Sequence, residues 1–325
     1  MARRRRSIET ALKQEVPPQS RVLVALSGGR DSTVLLDALV KVRRLLKLTV
    51  EACHIDHGLR PSSAADAQFA IEFCAQREVP CRLEKLGEKP AGANMEAWAR
   101  QQRYRIFREV LVERKIDWVL TAHTASDVAE TLLIKLLANK ELTTIERRDE
   151  RRRCLRPLLD ISRSQVVEYG EEHKVPFVED PSNADTALVR NRVRHELLPF
   201  LERMFDPSAE WILAERAQAV AADCSALDLL AQREADALGG LPEGDPGWLR
   251  ACSERLTTLP HALRWRVAER LAKPLVGYEL GESSSVELVK LLTGEIESLQ
   301  IKDGLRLFSD RFGLRILSGA TPRPA

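Results

Sequence analysis

Val22-Leu23-Val24-Ala25-Leu26 is an unbroken apolar run, which predicts a buried strand. The turn formers Ser27-Gly28-Gly29-Arg30-Asp31-Ser32 follow directly. From Thr33 onward apolar residues fall at Val34, Leu35, Ala38, Leu39, Val42, Leu45 and Leu46, the spacing of one helix face. The alternation then repeats: a strand near 49–56, a helix near 64–77, a strand near 81–86, a helix over 96–115 and a strand over 118–122. A helix over 126–137 and a short last strand at Leu155 complete it. Such alternation predicts a parallel sheet covered on both faces. Ligands of such sheets sit beyond the carboxyl ends of the strands.

After Asn183 the pattern changes. A linking helix is predicted over 190–204 and an Ala-rich helix over 211–238. The breaker-rich stretch 239–247 reads as a loop. Helices over 253–271 and 284–292 follow, then a hairpin over 299–317 turning at Asp303-Gly304. The predicted organisation is a basic N-terminal arm (1–20), an α/β domain with a doubly wound parallel sheet (21–204), and a smaller, mainly helical domain (205–325).

Composition changes this picture little. The 325 residues, 44% hydrophobic, suffice for two cores. With 50 basic and 48 acidic residues, net charge does not announce a nucleic-acid partner. Local runs are more telling, since Arg147, Arg148 and Arg151 to Arg153 can contact phosphates. Arg3 to Arg6 reads better as a solvated arm. The six scattered cysteines form no C-x-x-C pair, which predicts reduced thiols rather than a zinc or iron–sulfur site. No apolar run reaches the roughly 20 residues of a membrane span. No apolar stretch follows the basic N-terminus, so a cytoplasmic location is expected.

The 27–32 loop carries the sharpest chemistry. Adjacent glycines and a helix N-terminus can cradle an anion with backbone N–H groups. Ser27 and Ser32 add hydroxyls, and Arg30 adds charge. The loop has neither the lysine of a Walker A motif nor the spacing of a dinucleotide fingerprint. Asp31 beside phosphates implies an intervening divalent cation, Mg²⁺; the alternative is a helix-start carboxylate. His54-Ile55-Asp56-His57-Gly58-Leu59-Arg60 follows the second strand and reads as a polar rim rather than a metal site. His123, Asp127 and Glu130 follow the fourth strand, and the two carboxylates share a helix face suited to an ammonium group. Arg100 and Arg103 share a face with Glu96 and Phe107, and could grip phosphate or carboxylate.

Placed between strand and helix, SGGRDS resembles the signature of PP-loop ATP pyrophosphatases, which split ATP between its α- and β-phosphates. HIDHGLR (54–60), AWARQQRYRIF (97–107), TAHTASDVAETLL (121–133), RPLLDISRSQVVEYG (156–170) and EDPSNADTALVRNRVRHELLP (179–199) are similar, in order, to blocks of the tRNA(Ile)-lysidine synthetase family. That resemblance covers most of residues 20–200 and implies a Rossmann-like fold. It implies ATP binding by Ser27, Gly28, Gly29, Arg30, Asp31 and Ser32, with Asp31 toward Mg²⁺. It also implies lysine recognition and catalysis by Asp127, Glu130 and Arg103, and a tRNA or active-site rim of His57, Arg60, His123, Arg190, Asn191 and Arg194. The implied reaction joins L-lysine to carbon 2 of the wobble cytidine of tRNA(Ile) with a CAU anticodon, through an adenylated base. The chain departs from the family at Thr124, Ser126, Val128 and 138–144, where His, Asp, Gln and a Gly-rich segment are usual. Rival readings are another PP-loop tRNA-modifying enzyme, such as a thiolase, or a nucleotide-regulated RNA-binding protein. The scattered cysteines weigh against the thiolase. A homodimer is left open.

Overall fold

The computed structural model describes residues 6–56, 63–87, 90, 92, 95–138, 144–179, 185–205, 209–277, 280–301 and 305–318. They form two compact units that divide between Gln218 and Ala219. The first unit therefore continues past residue 204, the boundary read from sequence, into the start of a long helix.

The first unit is built on β1 (Arg21–Ala25), β2 (Thr49–Asp56), β3 (Cys81–Lys85), β4 (Trp118–Leu120), β5 (Arg148–Asp149) and β6 (Cys154–Leu155), ordered β3-β2-β1-β4-β6-β5. All neighbours are parallel except β5, a two-residue edge strand antiparallel to β6. Side chains alternate between the two faces, as a pleated strand requires. Val22, Val24, Ala52, Leu120 and Leu155 join one core; Leu23, Cys53, Val119 and Cys154 join the other. The first core packs α2 (Arg30–Leu46), α3 (Ser63–Ala75) and α6 (Arg163–Glu172); the second packs α4 (Met95–Glu113).

Part of the predicted arm is a fold element. Ser7 caps α1 (Ile8–Glu15), accepting from Thr10 N–H, and Ile8, Ala11 and Leu12 are buried in the first core. The arginine run masked this short amphipathic pattern. Helix α6 was also absent from the sequence reading, although Ser162 and Gln165 close a capping box at its start. Helix α5 (Ala125–Leu137) follows β4. The predicted linking helix is α7 (Val189–Arg192), a π turn (Val193–Leu197) and α8 (Leu198–Met204).

The second unit takes up α9 (Ala209–Leu238) from Ala219 onward, with α10 (Pro246–Thr258), α11 (His261–Val276) and α12 (Glu282–Leu292). It ends in an antiparallel sheet of β7 (Ser298–Gln300), β8 (Leu305–Asp310) and β9 (Gly313–Ser318). Three strands replace the expected single hairpin; the turn expected at Asp303-Gly304 lies outside the described residues. Helix α10 starts within the stretch read as a loop, because Asp245 accepts from Trp248 N–H and Pro246 occupies the first turn. Gly313, at φ +106°, lets β9 approach this cap: an added Cβ would lie 2.7 Å from Asp245 N. Ala235, Leu256, Leu271, Leu291 and Leu307 are among its core residues.

Candidate active site

Strand order places the site. β1 is flanked by β2 on one side and β4 on the other, so the connections leaving β1 and β4 diverge at a topological switch point. The 27–32 loop leaves β1 there, and residues 121–124 leave β4 beside it.

The 27–32 loop holds its own shape. Ser27 Oγ and Ser32 Oγ lie 3.0 Å apart, Gly29 N–H donates to Ser27 Oγ (3.3 Å), and the Ser32 hydroxyl donates to Gly29 O (2.9 Å). Gly28 has φ +85°, which would cost an L side chain about 1–2 kcal/mol. Its carbonyl accepts from Val178 N–H at 2.9 Å, and Arg30 stacks 4.2 Å from the Phe177 ring. Gly29 caps α2 with no side chain, so the positive end of the helix dipole is open to an anion.

Asp31 is half-buried, with Arg163 Nη2 at 3.5 Å. Burial pushes its carboxyl up; Asp127 adds to that, while Arg163, Arg194 and Arg30 oppose it. Sequence reasoning missed Arg163. Ser162 caps α6 and thereby sets Arg163 at its first position. Its Nε is buried without a hydrogen-bond partner among the described residues. The pattern Ser162-x-x-Gln165 was the available signal.

At the start of α5, Thr124 N–H and Oγ1–H donate to Asp127 Oδ2 at 2.8 and 3.0 Å. Asp127 Oδ1 accepts from Arg190 Nη2 (3.2 Å) and Arg194 Nη2 (3.4 Å). Glu130, one turn on, is fully buried (0%). Arg190 Nε donates to its Oε2 (2.8 Å), and Arg194 donates from Nε to Oε1 (2.6 Å) and from Nη2 to Oε2 (3.0 Å). The arginines come from α7 and the π turn, four residues apart. Burial alone would raise the Asp127 carboxyl; His123, Arg190, Thr124 N–H and Arg194 hold it below its usual range. His123, whose Nδ1 lies 2.9 Å from Thr121 Oγ1, is pushed down to about 4 by burial. It is therefore neutral near pH 7, and the guanidiniums supply the positive charge facing Asp127.

The structure thus brings Asp31, His123, Asp127, Glu130, Arg190 and Arg194 together. Arg103 is exposed on α4, while Asp127 and Glu130 take guanidiniums from Arg190 and Arg194. Asn191 is buried and donates to Asp185 O (2.8 Å). His54 is buried against Leu26 O (2.9 Å). His57 and Arg60 lie outside the described residues. Two departures from the family pattern have structural roles. Ser126 Oγ donates to Glu210 (2.8 Å) and accepts from Arg163 N–H (3.2 Å), and Val128 is buried in an apolar cluster.

The PP-loop domain family matches residues 2–201. The chain is 34% identical over 269 residues to the tRNA(Ile)-lysidine synthase of Thermosynechococcus vestitus, covering 81% of this chain and 76% of that protein. It is 36% identical over 261 residues to the synthase of Gloeobacter violaceus, covering 78% and 77%. Against that of Azoarcus sp. it is 33% identical over 277 residues, covering 82% of this chain and 60% of the relative. Among solved structures, the U34-tRNA thiolase NcsA from Methanococcus maripaludis superposes with a TM-score of 0.57 at 16% identity, over 66% of this chain and 78% of that one. That likeness concerns the fold alone.

Proposed function

Since the chain belongs to the tRNA(Ile)-lysidine synthase family of PP-loop proteins, we propose that it uses ATP to join L-lysine to the wobble cytidine of tRNA(Ile). The observation that carries this is the meeting of the 27–32 loop, which leaves β1, with the acidic pair of α5, which follows the adjacent β4, so that Asp127 bears electrostatically on Asp31.

The loop amides, Ser27, Ser32 and the α2 N-terminus would bind pyrophosphate as the leaving group. Arg163, with an unpaired Nε, would share its charge. A half-buried carboxylate with one guanidinium at 3.5 Å fits one ligand of a Mg²⁺ otherwise held by phosphates. Among the described residues no cluster of three or more His, Cys, Asp or Glu could hold a metal without them. When bound, the cation offsets phosphate charge. The cytosine oxygen on carbon 2 attacks the α-phosphate, its P–O bond forming as the bond to pyrophosphate breaks. The lysine ε-amine then attacks carbon 2, AMP leaves, and the amine gives up a proton.

For lysine, Asp127 is the reachable carboxylate. Its side chain is 12% exposed, and Arg190 beside it is 43% exposed, whereas Glu130 is enclosed. The ammonium replaces Arg190 at Asp127 Oδ1, and Glu130 is a positioning residue that keeps Arg194 in place. A carboxylate favours the charged amine and so opposes its deprotonation; Asp127 serves binding first. The second unit, from Ala219, would hold the tRNA body.

The test is radiolabelled lysine incorporation into a CAU-anticodon tRNA(Ile) transcript, with pyrophosphate release measured alongside. Asp31→Asn should lower tRNA-dependent pyrophosphate release roughly 10²–10³-fold. Wild-type protein that binds ATP and tRNA but transfers no lysine would remove the ligase reading.

A further inference from the structure

The arginine-rich stretch 147–153 is not used by the site described above. Two of its members are structural: Arg147 pairs with Glu15 (3.3 Å) and Asp160 (2.7 Å), and Arg153 donates to the carbonyls of Ile116 and Asp117. The turn between β5 and β6 is locked, since Arg152 N–H and Nη1 donate to the Asp149 carboxylate at 2.9 and 2.8 Å. This turn lies against α4 and encloses a cleft of about 240 Å³, lined by Tyr104, Arg108, Arg151, Arg152 and Arg153 with an apolar floor.

Charge in the cleft is strongly one-sided. Arg108 and Arg151 are exposed and make no ion pair among the described residues. Arg153 contacts carbonyls, which leave its charge uncancelled. The nearby acids of α4 have their own partners: Glu109 faces Arg105 at 3.9 Å and Glu113 faces Arg82 at 2.6 Å. Asp149, buried beneath the turn, pairs with Arg152, and Glu150 faces Arg148, so neither cancels Arg108 or Arg151. Tyr104 lies between Arg152 (5.1 Å to the ring centroid) and Arg100 (5.4 Å), a stacked arrangement that holds both guanidiniums.

The cleft is also connected to the site. Arg100, Tyr104 and Arg108 are four residues apart and share one face of α4. This helix runs against the strands, so Arg108 lies toward the amino end of the sheet and Arg100 toward the carboxyl end. Arg100 there bears electrostatically on His123. A cationic track therefore leads from the β5–β6 turn to the active site.

We propose that this track binds consecutive backbone phosphates of the RNA substrate, with the cleft of Arg108, Arg151 and Arg152 as its distal anchor. The contact reads no sequence; it fixes the register in which the anticodon loop reaches the switch point. This deepens the tRNA reading above and rests on it. The experiment is fluorescence anisotropy of full-length protein with a tRNA(Ile) transcript across a salt series, comparing wild type with Arg108→Glu/Arg151→Glu and with Arg108→Lys/Arg151→Lys. Loss of two phosphate contacts should weaken binding at least roughly tenfold and make the slope of log K against log salt shallower by about 2. The lysine pair should retain most of the slope. Affinity for ATP, measured without RNA, should match the parent in both. Unchanged tRNA affinity and slope in the glutamate pair would overturn the proposal. So would a cleft that takes inorganic phosphate while tRNA binding is unaltered. Because binding is read without turnover, a tRNA held through the cleft but not lysinylated would sink the ligase reading and leave the track standing.

Discussion

The two ends of the first unit's sheet use arginine in opposite ways. At the carboxyl end, Arg190 and Arg194 are matched against Asp127 and Glu130, and the group is charge-balanced and, apart from Arg190, largely buried. At the amino end, Arg108, Arg151 and Arg152 stand largely in solvent over Tyr104 with one carboxylate beneath them. A buried guanidinium depends on its counter-charge for the fold to tolerate it. An exposed one contributes little to stability and keeps its charge for a partner. The same side chain is thus structural at one end and available at the other.

The comparison breaks most sharply at Glu130. Replacing it with Ala removes the carboxylate that both arginines share and leaves Arg194, 14% exposed, without its main partner. Urea denaturation should show a loss of about 3–5 kcal/mol, while Glu130→Met combined with Arg194→Met should recover much of it. A loss under 1 kcal/mol in the single variant would contradict the buried-network account.

Acid provides the next test. His123 titrates near 4 in the fold, against about 6.5 in an open chain. As pH falls, the unfolded chain takes up this proton first, so stability declines between about pH 6.5 and 4. The loss is at most about 3 kcal/mol. Asp127, held below its usual range, adds a further loss beneath about pH 3.9. Urea midpoints across pH should show the first decline flattened in His123→Gln, with the second reduced but present, because Arg190, Thr124 N–H and Arg194 still hold Asp127 down. At the other end of the sheet the effect is smallest. Arg148, stacked 4.3 Å from the Trp118 ring and paired with exposed Glu150, should tolerate Ala within about 0.5 kcal/mol in the same assay.

What the sequence revealed follows the range of each interaction. The strand–helix alternation and the loop at 27–32 are local patterns, and they placed the sheet, the switch point and Asp31. The acidic pair was visible as a helix face, but its occupants come from 60 and 64 residues further along the chain. No local period encodes that pairing, so Arg190 and Arg194 were legible as members of a rim but not as the partners of these carboxylates. Arg163 and the start of α10 were legible through caps at Ser162 and Asp245 that went unread beside stronger signals. Exposure is equally non-local: the 147–153 run looks uniform on paper, yet Arg147 and Arg153 bond to the protein itself.

The 60- and 64-residue separations between Glu130 and its two arginines set the order in which this centre can assemble during synthesis. Asp127 and Glu130 leave the ribosome well before Arg190 and Arg194, so a nascent chain ending short of residue 190 must leave both acids in water or protonate them. Enclosure of Glu130 therefore marks the moment when the acidic centre has all of its pieces, and chains cut before that point should be open to proteases around α5.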